Sequence, residues 1–279
     1  MGTAADLATF LDRHPRLFVL TGAGCSTDSG IPDYRDADGN WKRTPPVTYQ
    51  DFVRDPDTRR RYWARSMVGW RTFGRAHPGA AHRALAALEA GGRVQRLVTQ
   101  NVDGLHQAAG SRAVIDLHGR LGAVVCLHCG ERTPRDELQA ELVARNPRWA
   151  ALDARSAPDG DADLATDFSS FDVPACRACG GIVKPDVVFF GESVPRDRVA
   201  AAFDALRAAD AVLVAGSSLM VYSGFRFVQA AAEAGQPIAA VNLGRTRADA
   251  FFALKLEAPV GDTLAAVAAR DHDIAATAP

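Results

Sequence analysis

Four of the five cysteines fall in two Cys-x-x-Cys pairs, Cys126/Cys129 and Cys176/Cys179, and each pair is followed by glycine. Two residues between thiols let a tight turn aim both sulfurs at one metal ion, and the glycines free the backbone behind each knuckle. The expectation is one structural Zn²⁺ held by Cys126, Cys129, Cys176 and Cys179. A four-thiolate shell is closed, so no water can be activated on it. A redox Cys-x-x-Cys would use one pair and leave the other without a role.

The fifth cysteine, Cys25, lies in residues 20–35, LTGAGCSTDSGIPDYR. This stretch admits a phosphate-cradling loop, a thiol nucleophile or a plain turn. Gly22-Ala23-Gly24 after an apolar run would bring amide donors to a phosphate, with Ser26 adding a hydroxyl and the next helix N-terminus its dipole. The third glycine of a Rossmann fingerprint is absent, because Thr27 stands there. No G-x-x-x-x-G-K-[ST] exists to meet a γ-phosphate. Polar residues follow three further apolar runs: Gln100-Asn101-Val102-Asp103, Gly216-Ser217-Ser218 and Asn242-Leu243-Gly244. Strand ends of this kind suit ribose hydroxyls, although each could equally cap a helix. His118 ends another run, with Asp116 on the same side and Gly119 leaving room for a ligand, so it is the candidate general base. No G-x-S-x-G elbow exists, and a Cys25–His118 pair lacks a third member.

The elements that must position these residues read as α/β. Six apolar runs, at 17–20, 94–98, 113–117, 186–190, 211–216 and 237–242, are mostly continuous, as strands covered on both faces are. Alanine-rich helical patterns lie at 79–90, 196–208, 225–234 and 262–270. Together they predict a Rossmann-like, mostly parallel sheet with helices on both faces, built from 1–36, 79–119 and 186–279. Residues 37–78 read as a helical module, and 120–185 as a zinc-binding module with a short helix at 137–145 and an extended loop at about 146–175. The 279 residues are 47% hydrophobic, with 32 basic against 33 acidic residues, a balance that gives no support to a nucleic-acid scaffold. No run reaches the length of a membrane span and the N-terminus lacks a signal-peptide pattern, so a cytoplasmic protein is expected. The oligomeric state is not legible, with a monomer the default.

Taken together, GAGCSTDSGIPDYR, TQNVDGLH, LHG at 117–119, the two cysteine pairs, KPDVVFFGE, GSSLMVYSG and NLG resemble the sirtuins, the NAD-dependent protein deacylases. The resemblance runs from about residue 10 to 265. PDYR, RYWARSMVGW, APDGD at 157–161 and KPDVVFFGE look more narrowly like the class II, sirtuin 4 branch and its bacterial relatives. That likeness implies weak deacetylation, removal of longer or branched acyl groups such as lipoyl and glutaryl-type ones, and ADP-ribosyl transfer. The family reaction needs no enzyme nucleophile: the acyl-lysine oxygen attacks C1′ of the nicotinamide ribose and nicotinamide leaves, a ribose hydroxyl then attacks the resulting imidate, and water completes formation of O-acyl-ADP-ribose and free lysine. NAD is then the cosubstrate and an acylated protein lysine the partner.

The same likeness assigns residues. His118 matches the base, and Gln100, Asn101, Val102 and Asp103 match the nicotinamide-ribose end. Gly22, Ala23, Gly24 and Ser26 match the pyrophosphate loop, and Asp33, Tyr34 and Arg35 the cover of the nicotinamide pocket. Gly216, Ser217 and Ser218, then Asn242, Leu243 and Gly244, then Val260, match ribose, phosphate and adenine contacts. Val188, Phe190, Gly191 and Glu192 face Met220, Val221 and Tyr222 as the two edges between which substrate peptide adds as a strand. Tyr62 and Arg65, three apart on a helical face, leave two readings open. They match a fork that binds an acidic acyl group in another branch, or Tyr62 packs and Arg65 faces solvent. Cys25 stands where the family often carries an apolar residue. Protein mono-ADP-ribosyl transfer and a non-catalytic NAD or ADP-ribose sensor are the alternative functions.

Overall fold

In the computed structural model, residues 2–42, 46–152, 160–162, 164 and 166–277 are described. Part of the expected loop at 146–175, including residues 157–159 of APDGD, lies outside them. Along the chain, α1 (Ala4–Arg13) leads into β1 (Leu17–Thr21). Then come α2 (Tyr49–Arg54), α3 (Pro56–Phe73), α4 (Ala80–Ala90), β2 (Val94–Thr99), α5 (Leu105–Ala108) and β3 (Val114–Asp116). The cysteine-bearing segment supplies β4 (Gly119–Cys126), β5 (Arg132–Pro134), α6 (Arg135–Arg145), α7 (Pro147–Ala150) and β6 (Val183–Val187). The chain closes with α8 (Arg196–Arg207), β7 (Ala211–Ala215), α9 (Tyr222–Glu233), β8 (Ile238–Val241), β9 (Leu254–Leu256) and α10 (Val260–Thr277).

Six strands form one sheet in the order β3-β2-β1-β7-β8-β9, every neighbouring pair parallel. Strand alternation explains why β1 is buried throughout and apolar from Leu17 to Leu20. Leu17 and Val19 pack with Leu7 and Leu11 of α1, Leu85 of α4 and Leu264 of α10, while Phe18 and Leu20 pack with Leu206 of α8 and Phe227 of α9. Helices therefore cover both faces, as the continuous runs implied.

The 186–190 run does not join this sheet. Strand β6 pairs antiparallel with β4, which pairs antiparallel with β5, in a separate sheet of order β5-β4-β6. Pro185 lacks an N–H and is tolerated on the edge that β6 occupies. The sixth parallel strand is instead β9, too short to stand out in the sequence. Helix α1 was also not anticipated; Thr3 starts it through a reciprocal capping box with Asp6.

Helix α3 begins at Pro56 because the Asp55 carboxylate accepts from the Asp57 and Thr58 amides. Its buried face, with Tyr62, Trp63 and Met67, shares a core with Leu138 and Leu142 of α6, Trp149 of α7 and Leu121 and Val124 of β4. The inserted helices and the cysteine-bearing segment thus support each other. Gly69 of α3 meets Gly160 so closely that a Cβ there would lie 2.3 Å from the Gly160 carbonyl oxygen.

Candidate active site

The chain reverses direction across the parallel sheet at β1, which has β2 on one side and β7 on the other. Open α/β sheets bind ligands at such a switch point, beyond the carboxyl ends of the strands. Here the ends are Thr21-Gly22, Thr99-Gln100 and Ala215-Gly216. No regular helix follows β1, contrary to the expectation of a helix dipole at the loop: two short 3₁₀ turns, Ala23–Cys25 and Thr27–Ser29, replace it. Gly30, at φ 81°, and then Pro32 end the second turn. The glycines serve close packing between loops. A Cβ on Gly24 would lie 2.9 Å from the Gly216 Cα, and one on Gly216, at φ 62°, would lie 2.5 Å from the Cys25 nitrogen.

A buried polar network backs this loop. The Asn101 amide donates to the Gly22 carbonyl and to Ser26 Oγ, each at 3.0 Å, and Ser26 Oγ donates to the Asp103 carboxylate at 2.6 Å. His82, fully buried, lies 3.3 Å from Ser26 Oγ through Nε2. Its Nδ1 accepts from the Gly79 N–H, so Nε2 carries the proton and donates. Burial lowers the pKa of His82, keeping the ring neutral. The Gln100 amide spans to Ser217 Oγ at 2.7 Å, tying β2 to β7. Cys25 is buried, its Sγ directed at the Ala215 carbonyl, and burial, then the Asp103 charge, push its thiol up to about 12. A thiol held protonated in that way is no nucleophile.

His118 sits on the two-residue link between β3 and β4, at the seam of the two sheets. Its Nδ1 lies 2.8 Å from the Gln100 carbonyl, which can only accept, so Nδ1 bears the proton. The Nε2 lone pair therefore accepts from Ser223 Oγ at 2.8 Å. Burial lowers the ring to about 4 against the raising effect of the Gln100 bond, with Arg226 and Arg198 adding to the lowering. The result is a neutral imidazole with Nε2 ready to take a proton.

These groups converge on one cavity of about 1100 Å³. Gly22, Ala23, Gly24, Ser26, Asp33, Tyr34, Arg35, Gln100, Asn101, Val102, Asp103 and His118 line it, as do Gly216, Ser217, Ser218, Asn242, Leu243 and Val260. Val188, Phe190, Gly191 and Glu192 line it from one edge and Met220, Val221 and Tyr222 from the other. The first edge is braced by Glu192, which accepts from Lys184 Nζ at 3.1 Å and the Phe189 amide at 2.9 Å. Tyr34-Arg35 is held by Trp41, whose ring lies 4.1 Å from the Arg35 guanidinium. Two expected contacts do not line the cavity: Gly244, turned at φ 79°, and Arg65. Arg65 Nε donates to the Ala162 carbonyl at 2.7 Å and pairs with Asp161 at 3.1 Å, while Tyr62 lines the cavity. His82, Ser223 and Trp41 were not singled out as site residues; Ser223 falls inside GSSLMVYSG, whereas no quoted motif contains His82 or Trp41.

The four paired cysteines meet as well. Their sulfurs all lie within 4.8 Å of one another, with Cys126–Cys179 at 3.5 Å and Cys129–Cys176 at 3.7 Å. Tetrahedral thiolates about 2.3 Å from a zinc ion would be spaced by about 3.8 Å.

Fold and cleft together place a polar cavity at the switch point of a parallel α/β sheet, where such folds take nucleotides. A model of the Sir2 family matches residues 22–223. The "NAD-dependent protein deacetylase 2" of Bradyrhizobium diazoefficiens is 69% identical over 253 residues, covering 90% of this chain and 93% of the relative. A solved Sir2–p53 peptide–NAD⁺ complex is similar with a TM-score of 0.74 at 28% identity, over 99% of this chain and 100% of that one. Another, with deacetylated p53 peptide and 3′-O-acetyl ADP-ribose, has a TM-score of 0.77 at 29% identity, over 96% and 98%. The chain belongs to the Sir2 family, and it is an NAD-dependent protein-lysine deacylase of that type.

Proposed function

We propose that the chain transfers acyl groups from protein lysines to the ADP-ribose part of NAD, releasing nicotinamide, with His118 as the base. The observation that supports this reading most directly is the fixed tautomer of His118, whose Nδ1–H is held by the Gln100 carbonyl and whose Nε2 lone pair accepts from Ser223 Oγ, a hydroxyl that a ribose hydroxyl would displace. A ribose hydroxyl delivered there would give its proton to Nε2, and the imidazolium would stay hydrogen-bonded to the Gln100 carbonyl through Nδ1. Asn101 and Asp103, fixed by Ser26 and His82, would orient the nicotinamide-ribose end, while the loop Gly22–Ser26 and Ser217 would hold the phosphates. Substrate peptide would lie between Val188–Glu192 and Met220–Tyr222, recognised largely through its backbone. The motifs PDYR, RYWARSMVGW and KPDVVFFGE support the class II, sirtuin 4-like branch. The cysteine quartet has the ligand number and spacing for one structural Zn²⁺, which would supply cross-linking and no chemistry.

Incubation with acyl-lysine peptide and NAD is expected to release nicotinamide and O-acyl-ADP-ribose in equal amounts. Acyl loss without NAD would refute the route. His118→Tyr is expected to lower turnover by roughly 10²–10⁴-fold, the usual worth of a positioned base, with an unchanged unfolding midpoint. Retained turnover would remove His118 from the reaction.

A further inference from the structure

Arg226 stands one turn beyond Ser223 on α9, the helix whose serine holds His118 Nε2. Its side chain lines the same cavity. Among the described residues its guanidinium makes no ion pair and no hydrogen bond, and its Nε is buried. Its recorded contact is the Tyr222 ring, 5.5 Å away. The residue as a whole is half-buried, so the buried Nε lacks a partner while the rest of the guanidinium can reach a ligand in the cavity. Its charge is felt at His118, where it acts against protonation of the ring.

Arg196 and Arg245 also line the cavity but are exposed to solvent, and two other arginines are committed. Arg35 donates to the Gly39 carbonyl at 2.7 Å and lies over Trp41. Arg65 is held by Asp161 and Ala162 and does not line the cavity. The Glu192 carboxylate is likewise occupied by Lys184 and the Phe189 amide.

We propose that Arg226 is the specificity-determining cation of this cavity and receives a carboxylate carried by the acylated substrate. The proposal rests on the lysine-deacylase reading and adds the charge of the preferred substrate. The guanidinium fork suits a bidentate carboxylate. That carboxylate has two sources: the far end of a dicarboxylic acyl chain, or an acidic side chain beside the modified lysine.

The test uses two matched arms. One compares glutaryl-lysine with neutral pentanoyl-lysine in the same peptide. The other compares acetyl-lysine peptides with glutamate or glutamine beside the lysine. Both kcat/KM and peptide Kd are read as acidic-to-neutral preferences, so a loss common to both peptides cancels. Arg226→Gln is expected to lower the acidic preference at least ~10-fold in one arm, the scale of a lost charge-assisted pair. Arg226→Lys is expected to lower it less, and the responding arm identifies the source. Arg65→Gln is expected to leave both preferences unchanged. Unchanged preferences in Arg226→Gln, or a fall in Arg65→Gln alone, would overturn the assignment. Failure of the unaltered protein to consume NAD with any acyl peptide would instead overturn the deacylase reading. The Kd preferences would still decide the role of Arg226.

Discussion

Strands β1, β7 and β8 of the parallel sheet bury every residue, whereas two of the three residues of β5 are exposed and β4 mixes buried, half-buried and exposed positions. The first sheet is sandwiched between helices and draws on two apolar clusters. The second has three strands, and Leu121 and Val124 of β4 and Val187 of β6 join a third apolar cluster, with one cysteine pair at the end of β4 and the other shortly before β6. One sheet is secured by burial on both faces, and the other has a smaller apolar core and the cysteine quartet expected to hold zinc. His118 bridges the two, with the end of β3 before it and the start of β4 after it. His118 is thus exposed to failure of either sheet.

The sharpest way to separate them is to remove the metal expected in the cysteine shell. Structural zinc contributes about 10–16 kcal/mol of apparent binding energy in small modules, and that energy is folding energy. Chelation, or Cys176→Ser with Cys179→Ser, is expected to expose the amides of β4, β5 and β6 to hydrogen exchange while β1, β7 and β8 stay protected. Equal loss in both sheets would show that the two fold as one unit. Metal analysis of the purified protein should give one zinc per chain.

The reciprocal perturbation is Leu213→Ala in β7. Leu213 is fully buried, and deleting such a side chain costs about 2–5 kcal/mol. The unfolding midpoint in urea should fall accordingly, with zinc still bound in the native state. Zinc loss at denaturant concentrations below the main transition would contradict the division.

The parallel sheet was readable because its central strands are covered on both faces and so appear as unbroken apolar runs. The edge strand β9, Leu-Lys-Leu, offers no such run, and β4 alternates too unevenly to register as a strand. Residues 186–190 look like a core strand by composition, and only the edge demanded by Pro185 tells against it. At the site, the glycine loop and the polar strand ends were visible because they follow strands directly. The partners that fix their proton positions were not. Ser223 is 105 residues from His118, and His82 is 56 from Ser26, so their pairing arises only on folding. The 3₁₀ turns after β1 were missed for a related reason: a glycine loop after a strand suggests a helix until Gly30 and Pro32 are seen to end it. The Arg65 pairing with Asp161 likewise spans distant segments and could not be read from the Tyr62–Arg65 spacing.

Protonation gives a smaller and graded test. Burial lowers His106 to about 3 and His118 to about 4, and lowers His82 as well. The unfolded chain takes up protons near pH 6.5, which the folded rings refuse. Stability is therefore complete above about pH 6.5 and declines as pH falls towards the folded values, by about 1.4 kcal/mol per pH unit for each such ring. Urea midpoints between pH 7.5 and 5 should show this slope, and His106→Asn should reduce it. His82 and His106 belong to the side of the parallel sheet, so chelation should leave their share of the slope in place, whereas the share of His118, at the seam, should shrink. For the reaction, the acidic limb of kcat/KM is expected below pH 6 rather than at 6.5. A limb at 6.5 would place a different group in control.

The smallest effect lies where α3 meets the cysteine-bearing segment. Asp161 has 9% of its side chain exposed and Arg65 26%, and the two pair at 3.1 Å beside the Gly69–Gly160 contact. Partial exposure screens the pair, so Asp161→Asn is expected to cost on the order of 1 kcal/mol, well below the cost of the Leu213 cavity. Asparagine keeps the shape and can still accept from Arg65, which isolates the charge. The loss should appear in thermal unfolding of the zinc-bound protein and shrink when the metal is removed, because the segment carrying Asp161 is then already loosened. A full-sized loss in the zinc-free protein would mean that residues 160–162 are anchored by α3 independently of the thiolate shell. The boundary between the two regions would then run along that loop rather than along β4.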